Sequence, residues 1–202
     1  MLERFRSFWT ALLTPIARFL LRIGVSPDAV TVVGTLGVVV GALAFFPRGE
    51  LLVGVLVITA FVFADLLDGT MARMSGRSSR WGAFLDSTLD RLGDAAIFGG
   101  LAMYYVGPGE SDALAALAMY CLVMGSVTSY ARARAESLGM QAKVGVAERA
   151  DRLVAILVMT GLADIFNVFV LIPITLAVLA VASTVTVVQR ILVVRAQAKA
   201  AV

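Results

Sequence analysis

The chain has 202 residues, 60% hydrophobic and 15% charged, with a formal net charge of +3, and its apolar runs recur along the whole length. This composition indicates a polytopic membrane protein and leaves little for a soluble domain, since a spanning helix needs about 20 residues to cross about 30 Å of hydrocarbon. Histidine is absent and Cys121 is the only cysteine, so an intrachain disulfide, histidine acid–base chemistry and the usual zinc sites are excluded.

Taken in order, the chain predicts an all-α integral membrane protein of one domain, residues 1–202. Residues 1–25 mix Phe5, Phe8, Trp9, Leu12 and Phe19 with Arg4, Arg6, Arg18 and Arg22, the pattern of an amphipathic helix lying in the membrane interface. Residues 26–202 predict a bundle of six transmembrane helices. Ser26-Pro27-Asp28 supplies an N-cap, a first-turn proline and a first-turn acid for a span reaching Phe46. Pro47 to Glu50 makes a turn; the second helix runs from Leu51 to Met74 and the third from Trp81 to Val106. Gly107-Pro108-Gly109 ends the third, Ser111 caps the fourth, and Gly139 ends it. A fifth helix begins near Ala147, and a sixth carries Pro173 in its first turns and reaches Arg195.

With six spans, nearly every Lys and Arg falls on one side and Arg48 alone on the other. The positive-inside rule then places both termini in the cytoplasm of a multi-pass plasma-membrane protein. The basic belt matches anionic lipid headgroups and phosphate-bearing substrates, and nothing indicates nucleic acid.

Within the apolar background, Asp65 and Asp68 are spaced i,i+3 and Asp86 and Asp90 i,i+4, so each pair lies on one face of its own helix. Gly69, Gly76, Ser78, Ser79 and Gly82 between them predict a helical hairpin in which the pairs face each other. Four converging carboxylates repel unless hard cations such as Mg²⁺ or Mn²⁺ sit among them. Intramembrane carboxylates are costly enough to favour function. The residues alone leave open that they pair with Arg73, Arg77, Arg80 and Arg91 as ion pairs holding helices together. Asp94 extends the second row and reads as a supporting or ion-pair residue.

The spacing D-x2-D-G-x2-A-R-x8-G-x3-D-x3-D, at Asp65, Asp68, Gly69, Ala72, Arg73, Gly82, Asp86 and Asp90, resembles the signature of the CDP-alcohol phosphotransferases at every fixed position. That family moves a phosphatidyl group from a CDP-linked lipid to an alcohol. The resemblance implies two Mg²⁺ or Mn²⁺ ions held by Asp65, Asp68, Asp86 and Asp90, a two-metal mechanism, and Asp90 as the group that takes the hydroxyl proton. Asp68, Gly69, Ala72, Arg73 and Gly82 would bind the CDP-lipid, Arg73 at a phosphate oxygen and the glycines giving room for cytosine and ribose. A homodimer is implied by the same resemblance.

Segments Ser129 to Glu136, Glu148 to Arg152 and Val188 to Arg190 are similar to those of actinobacterial phosphatidylinositol phosphate synthases within the family. The similarity implies that Arg132, Arg152 and Arg190 bind the acceptor phosphate, with Arg134 and Arg149 as neighbours. The chain departs in having Arg132 where lysine is usual, and Glu148-Arg149-Ala150-Asp151-Arg152 for Glu-Arg-Pro-Glu-Arg. A plainer reading pairs Glu148 with Arg152 along the helix and leaves Arg132 to set orientation. The expected reaction is therefore transfer from CDP-diacylglycerol to inositol phosphate, giving phosphatidylinositol phosphate and CMP. A phosphatidylglycerophosphate synthase using glycerol 3-phosphate is the alternative within the family. An ion or metal transporter is the alternative from another class, although its acids should spread across the membrane depth rather than gather at one end. An intramembrane prenyltransferase would use aspartates and Mg²⁺ at other spacings.

Overall fold

The computed structural model describes residues 14–76 and 79–200, with the side chains of residues 63–66 outside that description. The expectations for residues 1–13 of the interfacial helix, and for Arg77 and Ser78, therefore lie outside the described residues.

Residues 14–22 form a helix, α1. It is followed by α2 (Pro27–Phe45), a short 3-10 turn (Phe46–Arg48), α3 (Leu51–Ser75), α4 (Arg80–Val106), α5 (Asp112–Ser137), α6 (Arg149–Phe166) and α7 (Leu171–Ala200). No strand occurs among the described residues. The punctuation acts as local chemistry dictates. Ser26 caps α2, its hydroxyl accepting from the Ala29 N–H at 3.2 Å, and Ser79 and Ser111 cap α4 and α5 in the same way. Gly76 ends α3 at φ 64°, in the left-handed region that glycine enters without a Cβ penalty.

The long helices close into a ring in which each packs mainly on two neighbours: α2 on α3 and α4, α4 on α5, α5 on α7, α7 on α6, and α6 back on α3. Close approach at α2 depends on small residues. A Cβ on Gly37 would fall 2.1 Å from the Phe61 ring of α3, and one on Gly100 of α4 would fall 2.8 Å from the Ala42 carbonyl. Direction alternates along the chain, so that in the ring α2 runs parallel to α4 and α5 parallel to α7. Thr31 near the start of α2 reaches Asp68 near the end of α3, and Arg91 near the start of α4 reaches Ser129 near the end of α5. At the opposite end Asp164 of α6 accepts the Leu52 N–H at 2.7 Å, serving a donor at the start of α3 where Glu50 makes no side-chain cap.

The helical hairpin expected of α3 and α4 is present. The α3–α4 hairpin is antiparallel, but the two helices pack on α2 and make little contact with each other among the described residues. Small residues bring α2 against both. The fifth span starts at Arg149, near Ala147 as expected, where Glu148 is its cap and donates its N–H to Asp151 Oδ2 at 3.1 Å.

Four helices, beginning at Pro27, Leu51, Asp112 and Leu171, are long and apolar enough to cross a membrane. Among the described helices α4 and α6 fall short of that measure because they carry the charge, with Asp86, Asp90, Arg91 and Asp94 on one and Arg149, Asp151 and Arg152 on the other. Large side chains such as Val33, Leu36, Val40, Leu56, Val123 and Val181 lie exposed, an apolar exterior that suits lipid. In α1, Ala17 is buried against Val30 and Met71 while Arg18 and Arg22 are exposed.

Candidate active site

The signature residues sit where the beginnings of α2 and α4 meet the end of α3. Asp68 is 8% exposed and accepts a hydrogen bond from the Thr31 hydroxyl, so α2 holds the first acidic row through a residue outside the signature. Arg73 is exposed; its Nη2 donates to Thr70 Oγ1 at 3.1 Å, and its Nη1 lies 3.6 Å from where a Gly69 Cβ would stand. Gly82 lies in the first turn of α4 close to Asp28, whose Oδ1 is 3.7 Å from a Cβ built there. Asp86 is exposed.

Asp90 faces the interior. Arg149 Nη1 is 2.7 Å from its Oδ1 and Arg91 Nη2 is 3.7 Å from its Oδ2. One turn deeper, Asp94 pairs with Arg149 Nε at 3.1 Å and Arg91 Nη2 at 3.4 Å. The ion-pair role read for Asp94 is thus observed, with Arg149 as the partner that sequence reasoning had left as a neighbour.

Beside Asp90 opens a cavity of about 440 Å³ whose wall includes Arg132, Arg149, Arg152 and Arg190, with Glu136 and Glu148. The three arginines singled out from the sequence, on α5, α6 and α7, are thereby brought together. Their states differ. Arg152 is 2% exposed and Arg190 3%, and neither makes an ion pair among the described residues. Their guanidinium groups donate only to backbone carbonyls: Arg152 to Ala147 at 3.2 Å and Gly125 at 3.5 Å, Arg190 to Val144 at 2.9 Å and Thr128 at 2.6 Å. Gly125 leaves room for the Arg152 guanidinium, since a Cβ there would meet Arg152 Nε at 3.2 Å. Arg132 is half-exposed and paired along its own helix with Glu136 at 3.0 Å. The alternative Glu148–Arg152 pair does not form, because Glu148 is occupied in capping α6.

The model of the CDP-alcohol phosphatidyltransferase family matches residues 24–188. The chain belongs to that family. Among its relatives, the phosphatidylinositol phosphate synthase of Streptomyces avermitilis is 55% identical over 94% of this chain and 80% of its own length. That of Cutibacterium acnes is 53% identical over 96% of this chain and 98% of its own. The crystal structure of the Mycobacterium tuberculosis phosphatidylinositol phosphate synthase with CDP-DAG bound superimposes with a TM-score of 0.87, at 42% identity over 91% of this chain and 94% of that one. The same enzyme in complex with manganese and citrate gives 0.84, over 90% and 88%.

For a CDP-alcohol phosphatidyltransferase the donor set suits a hard cation: its candidate ligands are carboxylates and histidine is absent. Among the described residues no three such groups converge on one point, and Asp65, on α3, has its side chain outside the description. Thr31 is the contributor that sequence reasoning missed. It is one of two threonines in a β-branched apolar run, and only its place opposite Asp68 distinguishes it from Thr35.

Proposed function

We propose that the protein is a membrane-embedded phosphatidylinositol phosphate synthase, transferring the phosphatidyl group of CDP-diacylglycerol to the hydroxyl of inositol phosphate and releasing CMP. The observation that carries this reading is the pair Arg152 and Arg190. Two buried cations without carboxylate partners are costly, and a phosphate dianion entering beside Asp90 would relieve that cost with charge-assisted hydrogen bonds. The relatives named as phosphatidylinositol phosphate synthases support the same acceptor.

In this reading Arg132, Arg152 and Arg190 hold the acceptor phosphate and Asp90 takes the proton of the attacking hydroxyl. Arg73, folded back over Gly69, engages a phosphate oxygen of the CDP group, and Gly69, Ala72 and Gly82 leave room for the nucleotide. Asp65, Asp68, Asp86 and Asp90 hold two Mg²⁺ or Mn²⁺ ions, which when bound stabilise the charge developing on the phosphates. All six long helices span the membrane as one domain, residues 1–25 lie in the interface, and both termini and the site face the cytoplasm. The enzyme acts as a homodimer.

Purified protein given CDP-diacylglycerol and a panel of alcohols should yield phosphatidylinositol phosphate by mass spectrometry, with unphosphorylated inositol a very poor acceptor. Faster turnover of glycerol 3-phosphate would transfer the assignment to phosphatidylglycerophosphate synthesis. For sidedness, single cysteines at Asp112 and at Val168 in a Cys121→Ser background should react with an impermeant thiol reagent outside intact cells, and one at Lys143 should not. The opposite pattern would invert the topology.

A further inference from the structure

Arg149 stands apart from the other arginines of the cavity because its charge is already spent. In the ring of helices α6 lies opposite α4, with α3 and α2 between them on one side and α7 and α5 on the other. Arg149 crosses that interior from the first turn of α6. It grips Asp90 Oδ1 with Nη1 at 2.7 Å and Asp94 Oδ1 with Nε at 3.1 Å. Asp94 is held from its other side by Arg91 at 3.4 Å, and Arg91 donates to Ser129 of α5. The cap at Glu148 and Asp151 fixes the helix end from which Arg149 projects. Arg149 and Asp90 also line a second cavity of about 50 Å³, formed with Val38, Phe61, Ile97 and Leu153, so the pair is a partition between the acceptor cavity and the apolar interior.

We infer that Arg149 is a positioning residue for Asp90 and not a further anion ligand. Asp90 and Asp94 lie one turn apart on one face of α4, and like charges at i,i+4 repel. A guanidinium bridging them cancels that repulsion and, as a planar fork, fixes the direction in which the Asp90 carboxylate points. Arg152 and Arg190 hydrogen-bond only to backbone carbonyls and form no ion pair among the described residues, whereas Arg149 presents a neutralised ion pair. An incoming phosphate would have to displace two carboxylates to reach it.

The test compares Arg149→Ala, Arg149→Lys and Asp94→Asn in the full chain, measuring kcat and the KM for inositol phosphate. The inference rests on the acceptor proposed above. If the wild type fails to use inositol phosphate, that reading falls by itself, and the comparison is made with whichever phosphorylated alcohol is turned over. Arg149→Ala should lower kcat by roughly tenfold or more with the acceptor KM within about threefold. Arg149→Lys should recover part of kcat by keeping the charge without the fork. Asp94→Asn should cost kcat less, and adding it to Arg149→Ala should cost little more, as coupled residues require. A tenfold rise in acceptor KM with kcat retained would make Arg149 an anion ligand and overturn the inference. Equal loss of kcat in the alanine and lysine variants with a matching loss of CDP-diacylglycerol binding would overturn it by showing a general structural role.

Discussion

The two halves of the site are built on opposite plans. The donor half, at the ends of α3 and α4, comes from one short signature and leaves Asp86 and Arg73 exposed. The acceptor half draws Arg132, Arg152 and Arg190 from three helices and buries two of them almost completely. An exposed carboxylate is stable without a ligand, because water solvates it. A buried guanidinium must be satisfied within the fold, and here backbone carbonyls do so while leaving its net charge uncompensated. In the proposed roles, the donor half can thus wait open for cations and a nucleotide, while the acceptor half is preorganised for one anion.

The contrast can be broken by experiment. The largest effect is expected in the donor half: a chelator should abolish turnover and Mg²⁺ or Mn²⁺ restore it, since oxygen ligands select hard cations. Asp90→Asn should likewise abolish transfer while CDP-diacylglycerol binding is retained; near-normal turnover would place the base elsewhere. In the acceptor half, loss of one hydrogen-bonded charged contact, about 1.5–3 kcal/mol, corresponds to roughly a ten- to hundredfold rise in the KM for inositol phosphate. Steady-state kinetics of Arg152→Ala should show that rise with the KM for CDP-diacylglycerol little changed. Arg132→Ala should cost less, because Arg132 is half-exposed and already paired with Glu136. An equal penalty for both would erase the distinction between buried and paired arginines.

The smallest effect sharpens the comparison from the other side. Thr31→Val keeps the shape and removes the hydroxyl that supports Asp68. One hydrogen bond contributes about 1 kcal/mol net, so kcat/KM should fall roughly fivefold with the acceptor KM unchanged. If the acceptor KM moves instead, α2 serves the arginine cavity as well as the aspartates.

The helices and the signature were legible in the chain. Apolar run lengths, the caps at Ser26, Ser79 and Ser111, and the left-handed glycine at Gly76 are local decisions, made within a few residues by hydrogen bonding and backbone sterics. The signature was legible for the same reason, its members being fixed by helical spacing along consecutive helices. Which helices touch depends on packing between residues distant in the chain. Phe61 packing on Gly37 and the Ala42 carbonyl approaching Gly100 place α2 between α3 and α4, so the two arms of the hairpin meet through α2 and Thr31 meets Asp68. Asp90 and Arg149 are far apart along the chain, and no local spacing ties the carboxylate to its guanidinium. Their pairing follows from the closure of the ring, which sets α6 opposite α4 so that Arg149 joins Arg91 in neutralising Asp90 and Asp94.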